Sequence, residues 1–128
     1  MAERVCVIVN PAAGRGRGAR MIPEISARFA EVGSPAIRTT GAKGEEAAIA
    51  EEAIADGFTT IVAVGGDGTA SNIANAILRS GADVRLAAMP AGTGNDFAKL
   101  LGTAKLDVGS LARMCAGGAS ARVDVGRI

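Results

Sequence analysis

Three stretches of this chain combine glycine with polar or charged residues in a way that suits phosphate chemistry: G-R-G-R-G at 14–18, G-G-D-G-T at 65–69 and G-T-G-N-D at 92–96. Glycine lets a backbone come close to a bulky charged group. Where such a loop opens a helix, free N–H groups and the positive end of the helix dipole point at the same oxygens. Asp67 adds a carboxylate and Thr69 a hydroxyl to the second stretch, and Asn95 and Asp96 end the third. Asn95 and Asp96 also suit a helix cap, a role compatible with ligand contact. Arg15, Arg17 and Arg20 are either solvated loop charges or contacts to phosphate or anionic lipid.

Other chemistries fit less well. The chain has no histidine, which excludes Ser-His and Cys-His nucleophilic catalysis within it. No Gly-Lys-Ser or Gly-Lys-Thr occurs, so the P-loop pattern is absent. The first loop does not read G-x-G-x-x-G, and no acidic residue ends the second strand candidate to hold a ribose. Aromatic residues are 2% of the chain and its net charge is +1, which argues against nucleic acid, whether stacked single strands or a duplex backbone. Cys6 and Cys115 lie far apart without metal-ligand spacing and read as small core residues in a reducing compartment. With no apolar stretch near the roughly 20 residues of a membrane span and no signal-peptide pattern, the expectation is a cytoplasmic protein.

The elements that must position the loops follow from hydrophobic period. Residues 4–9, 36–40, 60–64 and 85–90 are strand candidates, and "ARVDVG" at 121–126 alternates like a fifth. Between them Ile22, Ile25, Phe29 and Val32 recur at helical spacing, with Pro23 near the first turn or at a kink. Residues 45–56 form a strong helix with Ile49, Ala50, Ala53 and Ile54 on one face, the glutamates on another, and Gly57 supplying the turn after it. Ile73, Ala74, Ile77 and Leu78 mark the next helix; Phe97, Leu100 and Leu101, then Val108, Leu111, Ala112 and Cys115, mark two more. A 128-residue chain that alternates strand and helix predicts one three-layer α/β/α domain with a mostly parallel sheet. Ligands of such sheets sit beyond the carboxyl ends of the strands, so loops after Val9, Val64 and Pro90 are expected to share one edge and one cleft.

The stretches "VNPAAGRGRG" at 9–18, "VGGDGT" at 64–69 and "PAGTGNDFA" at 90–98, in that order, resemble the nucleotide-binding domain of diacylglycerol-kinase-type lipid kinases. That group includes diacylglycerol, sphingosine and ceramide kinases and their bacterial relatives, and the resemblance covers nearly the whole chain. "GGDGT" alone is shared with NAD kinases. The resemblance implies an NAD kinase/diacylglycerol kinase-like fold, ATP and Mg²⁺ as cofactors, and transfer of the ATP γ-phosphoryl to a lipid hydroxyl, with peripheral membrane contact by the whole enzyme. It implies that Gly65, Gly66, Asp67, Gly68, Thr69 and Asn72 wrap the phosphates, with Asp67 near the metal. It places Asn10 at the mouth of the first strand and Thr40, followed by Gly44, toward the nucleotide. Gly92, Thr93 and Asn95 form the opposing wall, with Asp96, like Asp67, near the chemistry.

Two departures qualify the resemblance. The family commonly carries a carboxylate where this chain has Asn72, after Ala70 and Ser71. A non-catalytic nucleotide-binding module is therefore an alternative to a lipid kinase; an NAD kinase-like enzyme is another, resting on the shared "GGDG", although "MPAGTGNDFAKLLG" does not match the Asn-x-Gly-x-x-Gly-Phe type second motif expected of it. Family members also have a β-rich C-terminal domain that supplies an acidic catalytic residue, and residues 122–128 resemble the segment that enters it. The expectation is a single nucleotide-binding domain over residues 1–128 without that second half.

Overall fold

The first strand, β1 (Val5–Val9), is a run of β-branched and small apolar residues buried on both sides. Such a run suits the middle of a parallel sheet, where helices cover both faces. The structure, a computed structural model, describes residues 4–30, 36–41 and 45–90. In chain order these form β1, α1 (Ala13–Ala30), β2 (Ala36–Thr39), α2 (Glu45–Ala55), β3 (Thr60–Gly65), α3 (Asp67–Ser80) and β4 (Arg85–Pro90). The strands pair in the order β2-β1-β3-β4, all parallel.

Two apolar layers sandwich the sheet. On one face, Ile25 and Phe29 of α1 pack on Val7, Val9, Val62, Val64, Ala87 and Met89. On the other, Ala50 and Ala53 of α2 and Ala70, Ile73, Ala74 and Ile77 of α3 pack on Cys6, Ile8, Ile61, Ala63 and Ala88. This is the three-layer α/β/α arrangement that alternation of strand and helix predicts. Both middle strands are sealed: every residue of β3 is buried, as a strand between two parallel neighbours must be.

The predicted elements recur with small shifts and three instructive differences. Gly57, with φ 91°, turns the chain after α2 as expected. Leu78, expected on the apolar face of its helix, is instead 57% exposed. Ile73, Ala74 and Ile77 already fill the stripe toward the sheet, and Leu78 lies 100° around the helix from Ile77. The glutamates of α2 do not share one solvated face, because Glu46 is buried together with Ala50 and Ala53. The start of α1 also differs: Gly14, Arg15 and Gly16 hold left-handed backbone angles, so a short turn is joined across a kink to the long helix, and Pro23 lies inside the latter.

At the amino edge of the sheet, Phe58 has the guanidinium of Arg4 at 4.6 Å and that of Arg38 at 5.4 Å from its ring centroid. Arg38 also donates to the Asp56 carboxylate at 2.8 Å, and Arg4 to the Asp56 carbonyl at 2.6 Å. These contacts fasten the entries of β1 and β3 to β2. Burial pushes the Cys6 thiol up from its ordinary value, with the charge of Arg38 pulling the other way.

Phe29 is almost fully buried, so Phe29→Ala is expected to cost about 3–5 kcal/mol, whereas Leu78→Ala at its exposed site stays within about 0.5 kcal/mol. Urea unfolding of the two variants checks both the packing of α1 and the outward position of Leu78. Cys6 holds its proton in the fold more tightly than in the unfolded chain, so its contribution to stability is intact below the unfolded thiol pKa and declines as pH rises past it. Unfolding free energies measured across the alkaline range should show that decline, and Cys6→Ala should remove it.

Candidate functional site

The chain reverses its direction of travel across the sheet between β1 and β3: β2 lies to one side of β1, while β3 and β4 lie to the other. At such a switch point the helices leaving the two central strands diverge to opposite faces and a crevice opens beyond the strand ends. Here α1 leaves for one layer and α3 for the other. Because all four strands are parallel, Thr40, Asn10, Gly66 and Pro90 all stand at this same edge.

Asn10 ties the crevice together. Its backbone N–H donates to the Val64 carbonyl at 2.9 Å, extending the β1–β3 ladder by one residue. Its side-chain Oδ1 accepts from the Ala12 N–H at 3.1 Å and starts the turn into α1, the local role for which Asn is suited. Its Nδ2 donates to the Thr69 hydroxyl at 3.4 Å. Gly18 permits this loop to lie close, since a Cβ there would run into the Asn10 carbonyl oxygen. Thr40 is buried one residue past β2, with its N–H on the Val9 carbonyl at 2.9 Å.

The turn from β3 into α3 divides its glycines by task. Gly65 makes room inside the protein: a Cβ there would lie 2.7 Å from Thr69 Oγ1 and 2.8 Å from Thr69 Cβ. Gly66 and Gly68 face open space, with nothing within 4 Å of the position a Cβ would take. Gly66 caps α3 without a side-chain hydrogen bond, and the first N–H groups of a helix have no acceptor within the helix itself. Asp67 is the first residue of α3. The arrangement is an open backbone surface at the positive end of a 14-residue helix, suited to an anion.

Thr69 is 4% exposed, and its hydroxyl is turned inward, donating to Glu46 Oε1 at 3.4 Å while accepting from Asn10. What Thr69 offers the crevice is therefore its backbone N–H. Asn72, one turn into α3, is exposed. Of the residues expected to form the site, Asn10, Thr40, Gly65, Gly66, Asp67, Gly68 and Thr69 come together at the edge; Gly92, Thr93, Asn95 and Asp96 lie outside the described residues, as does Gly44. Glu46 is the residue that sequence reasoning missed. The signal was present: Glu46, Ala50 and Ala53 follow the i, i+4, i+7 spacing of a buried stripe.

Residues 4–128 match the model of the diacylglycerol kinase catalytic domain. The chain belongs to that family. Among diacylglycerol-kinase-type relatives, the diacylglycerol kinase of Bacillus subtilis (strain 168) is 29% identical over 127 residues, covering 98% of this chain and 42% of the relative. A probable lipid kinase, YegS-like, from Pseudomonas aeruginosa (strain UCBPP-PA14) is 48% identical over 67 residues, 52% of this chain and 22% of the relative. The crystal structure of a diacylglycerol kinase from Bacillus anthracis str. Sterne superposes with a TM-score of 0.73 at 29% identity, covering 92% of this chain and 41% of that one. A phosphate-loop protein solved in solution shares the fold at a TM-score of 0.51 and 24% identity. The chain thus spans less than half the length of its diacylglycerol kinase relatives. Among the described residues, no helix is long and apolar enough to cross a membrane.

The division of the glycines gives a direct test. Gly65→Ala is expected to cost about 1–3 kcal/mol by overpacking against Thr69, whereas Gly68→Ala, in an open helical position, should raise stability by roughly 0.5–1 kcal/mol. Thermal unfolding of the two variants should move in opposite directions.

Proposed function

We propose that this chain is the ATP-binding part of a lipid kinase that transfers the γ-phosphoryl of Mg-ATP to a lipid hydroxyl, diacylglycerol or a related alcohol. The observation that carries the reading is the open, glycine-lined amino end of α3 at the β1/β3 switch point, in a chain of the diacylglycerol kinase catalytic domain family. In this reading the N–H groups of Gly68 and Thr69 and the dipole of α3 hold phosphate oxygens. Gly66 and Gly68 let those oxygens reach the backbone, and Asn10 and Thr40 line the adjoining strand ends.

The residues present suit a nucleotide better than a free metal ion. Gly66 and Gly68 leave space that any side chain would fill. Among the described residues no group of three His, Cys, Asp or Glu side chains gathers into a metal site. Mg²⁺ is accordingly proposed to arrive on the phosphates, with Asp67 at the head of α3 as its protein partner and Asp96 near the reacting group. When bound, the metal supplies charge neutralisation at the transferring phosphoryl, which together with positioning is most of what such catalysis requires. Holding an acceptor in line is worth roughly 7–11 kcal/mol of barrier. The acceptor site and the acidic base are assigned to protein beyond these residues, in keeping with the share of the relatives that the chain spans.

Isothermal titration of the chain with Mg-ATP tests the nucleotide reading. Binding is expected, and Gly66→Ala should weaken it at least several-fold, beyond the stability loss of no more than about 1 kcal/mol that alanine costs at an N-cap, because the added methyl occupies the cradle and touches nothing else. Asp67→Ala should alter the Mg²⁺ dependence. Incubation with labelled ATP and a panel of lipid alcohols is expected to give no product from residues 1–128 alone. Failure to bind Mg-ATP would overturn the reading, and efficient lipid phosphorylation by this chain would overturn the placement of the base.

A further inference from the structure

The hydrogen-bonded chain Asn10–Thr69–Glu46 ends on an atom with no partner. Glu46 is 5% exposed. Its Oε1 accepts the Thr69 hydroxyl, but its Oε2, equally buried, makes no hydrogen bond with any described residue. A buried carboxylate oxygen without a donor carries a desolvation cost that native structures rarely leave uncompensated. The cost has a location. Glu46 lies in the first turn of α2 and touches Thr69 in the first turn of α3, so the carboxylate stands where two helix amino ends converge on the crevice. Those dipoles favour its negative charge, yet they do not donate a hydrogen bond to Oε2.

A carboxylate in this place also changes what the crevice accepts. Polyphosphate oxygens are acceptors and carry negative charge, so metal-free nucleotide brings Glu46 repulsion and no donor. A polyphosphate carrying a hydrated divalent cation brings positive charge, and its water ligands donate through O–H. Only the second offsets the buried negative charge of Glu46. The Thr69 contact meanwhile holds Glu46 in place, with its first oxygen committed and its second buried without a donor.

We propose that Glu46 is a positioning and specificity residue of this crevice: through Oε1 it fixes Thr69 against Asn10, and through its buried, uncompensated charge it selects nucleotide in its hydrated metal complex over metal-free nucleotide. The inference rests on the nucleotide reading given above. It assigns to α2 a part in the site that no glycine motif marks, and it places a carboxylate beside α3 in a chain that has Asn72 where a carboxylate is common.

Calorimetric titration with ATP in the presence of excess Mg²⁺, and with ATP in EDTA, tests the proposal on the wild-type chain and on Glu46→Gln and Glu46→Asp. The Gln variant keeps an acceptor for Thr69 and removes the charge; the Asp variant keeps the charge and withdraws it from the contact. The wild type is expected to prefer the metal complex by about tenfold or more, and each variant to reduce that preference to about threefold or less, as expected when one close charge interaction is lost. In Glu46→Gln the metal-free form should bind as well as before or better. A purely structural role would weaken both forms alike and leave the ratio unchanged, and that result overturns the proposal. Equal wild-type affinity for the two forms also overturns it while leaving the nucleotide reading intact. Absence of binding to either form would instead remove the nucleotide reading itself. Should one variant unfold by circular dichroism, the ratio in the other decides.

Discussion

Everything at the carboxyl edge depends on the parallel pairing of β1 with β3. Five register pairs, from Val5 with Thr60 to Val9 with Val64, fix the two strands side by side, and the Asn10 N–H continues the ladder to the Val64 carbonyl. A slip of one residue would turn every side chain of β1 to the wrong layer. In the observed register Asn10 arrives next to the first turn of α3, where its amide reaches Thr69. The site is therefore a product of strand register more than of loop conformation.

The two edges of the sheet are finished in different ways. At the amino edge an aromatic ring between two guanidiniums, joined by Asp56, closes the entries to the strands. At the carboxyl edge, glycine replaces side chains and helix ends take the place of ion pairs. Alanine dominates the helix layer beneath the crevice, with Ala50, Ala53, Ala70, Ala74 and Ala76 all buried. Small side chains let α2 and α3 come close to each other and to the sheet, which is how Glu46 on one helix comes within reach of Thr69 on the other.

Much of this was legible in the sequence because period and glycine placement are local signals. The apolar run at 60–64 became β3 with one residue added, and the run at 45–56 became α2 with one removed. The crevice was legible as well, since parallel strands put the glycine turns after β1 and β3 at one edge. Strand order was not legible, because it depends on which side of β1 each crossover returns to, and no short stretch encodes that. Leu78 misled because its apolar character outweighed its phase, and Glu46 misled in the opposite sense, its charge hiding a phase that led inward. The inward turn of the Thr69 hydroxyl needed partners from two other elements, which only tertiary structure supplies. The strand, helices and loop expected within residues 91–128 lie outside the described residues.

The missing side-chain cap on α3 links ligand to lifetime. Helices of this length usually begin with a side chain that accepts from the first turn, and glycine in that place costs about a few tenths of a kcal/mol. Gly66 supplies none, so the fold forgoes that small stabilisation, and an anion bound as proposed would supply an acceptor in its place. A ligand present at a hundred times its dissociation constant adds about 2.7 kcal/mol to the folded state, comparable to a good cap and more. An anion bound there as proposed would act as a removable part of the protein's own helix, and resistance to proteolysis and heat would become a running measure of how full the crevice is.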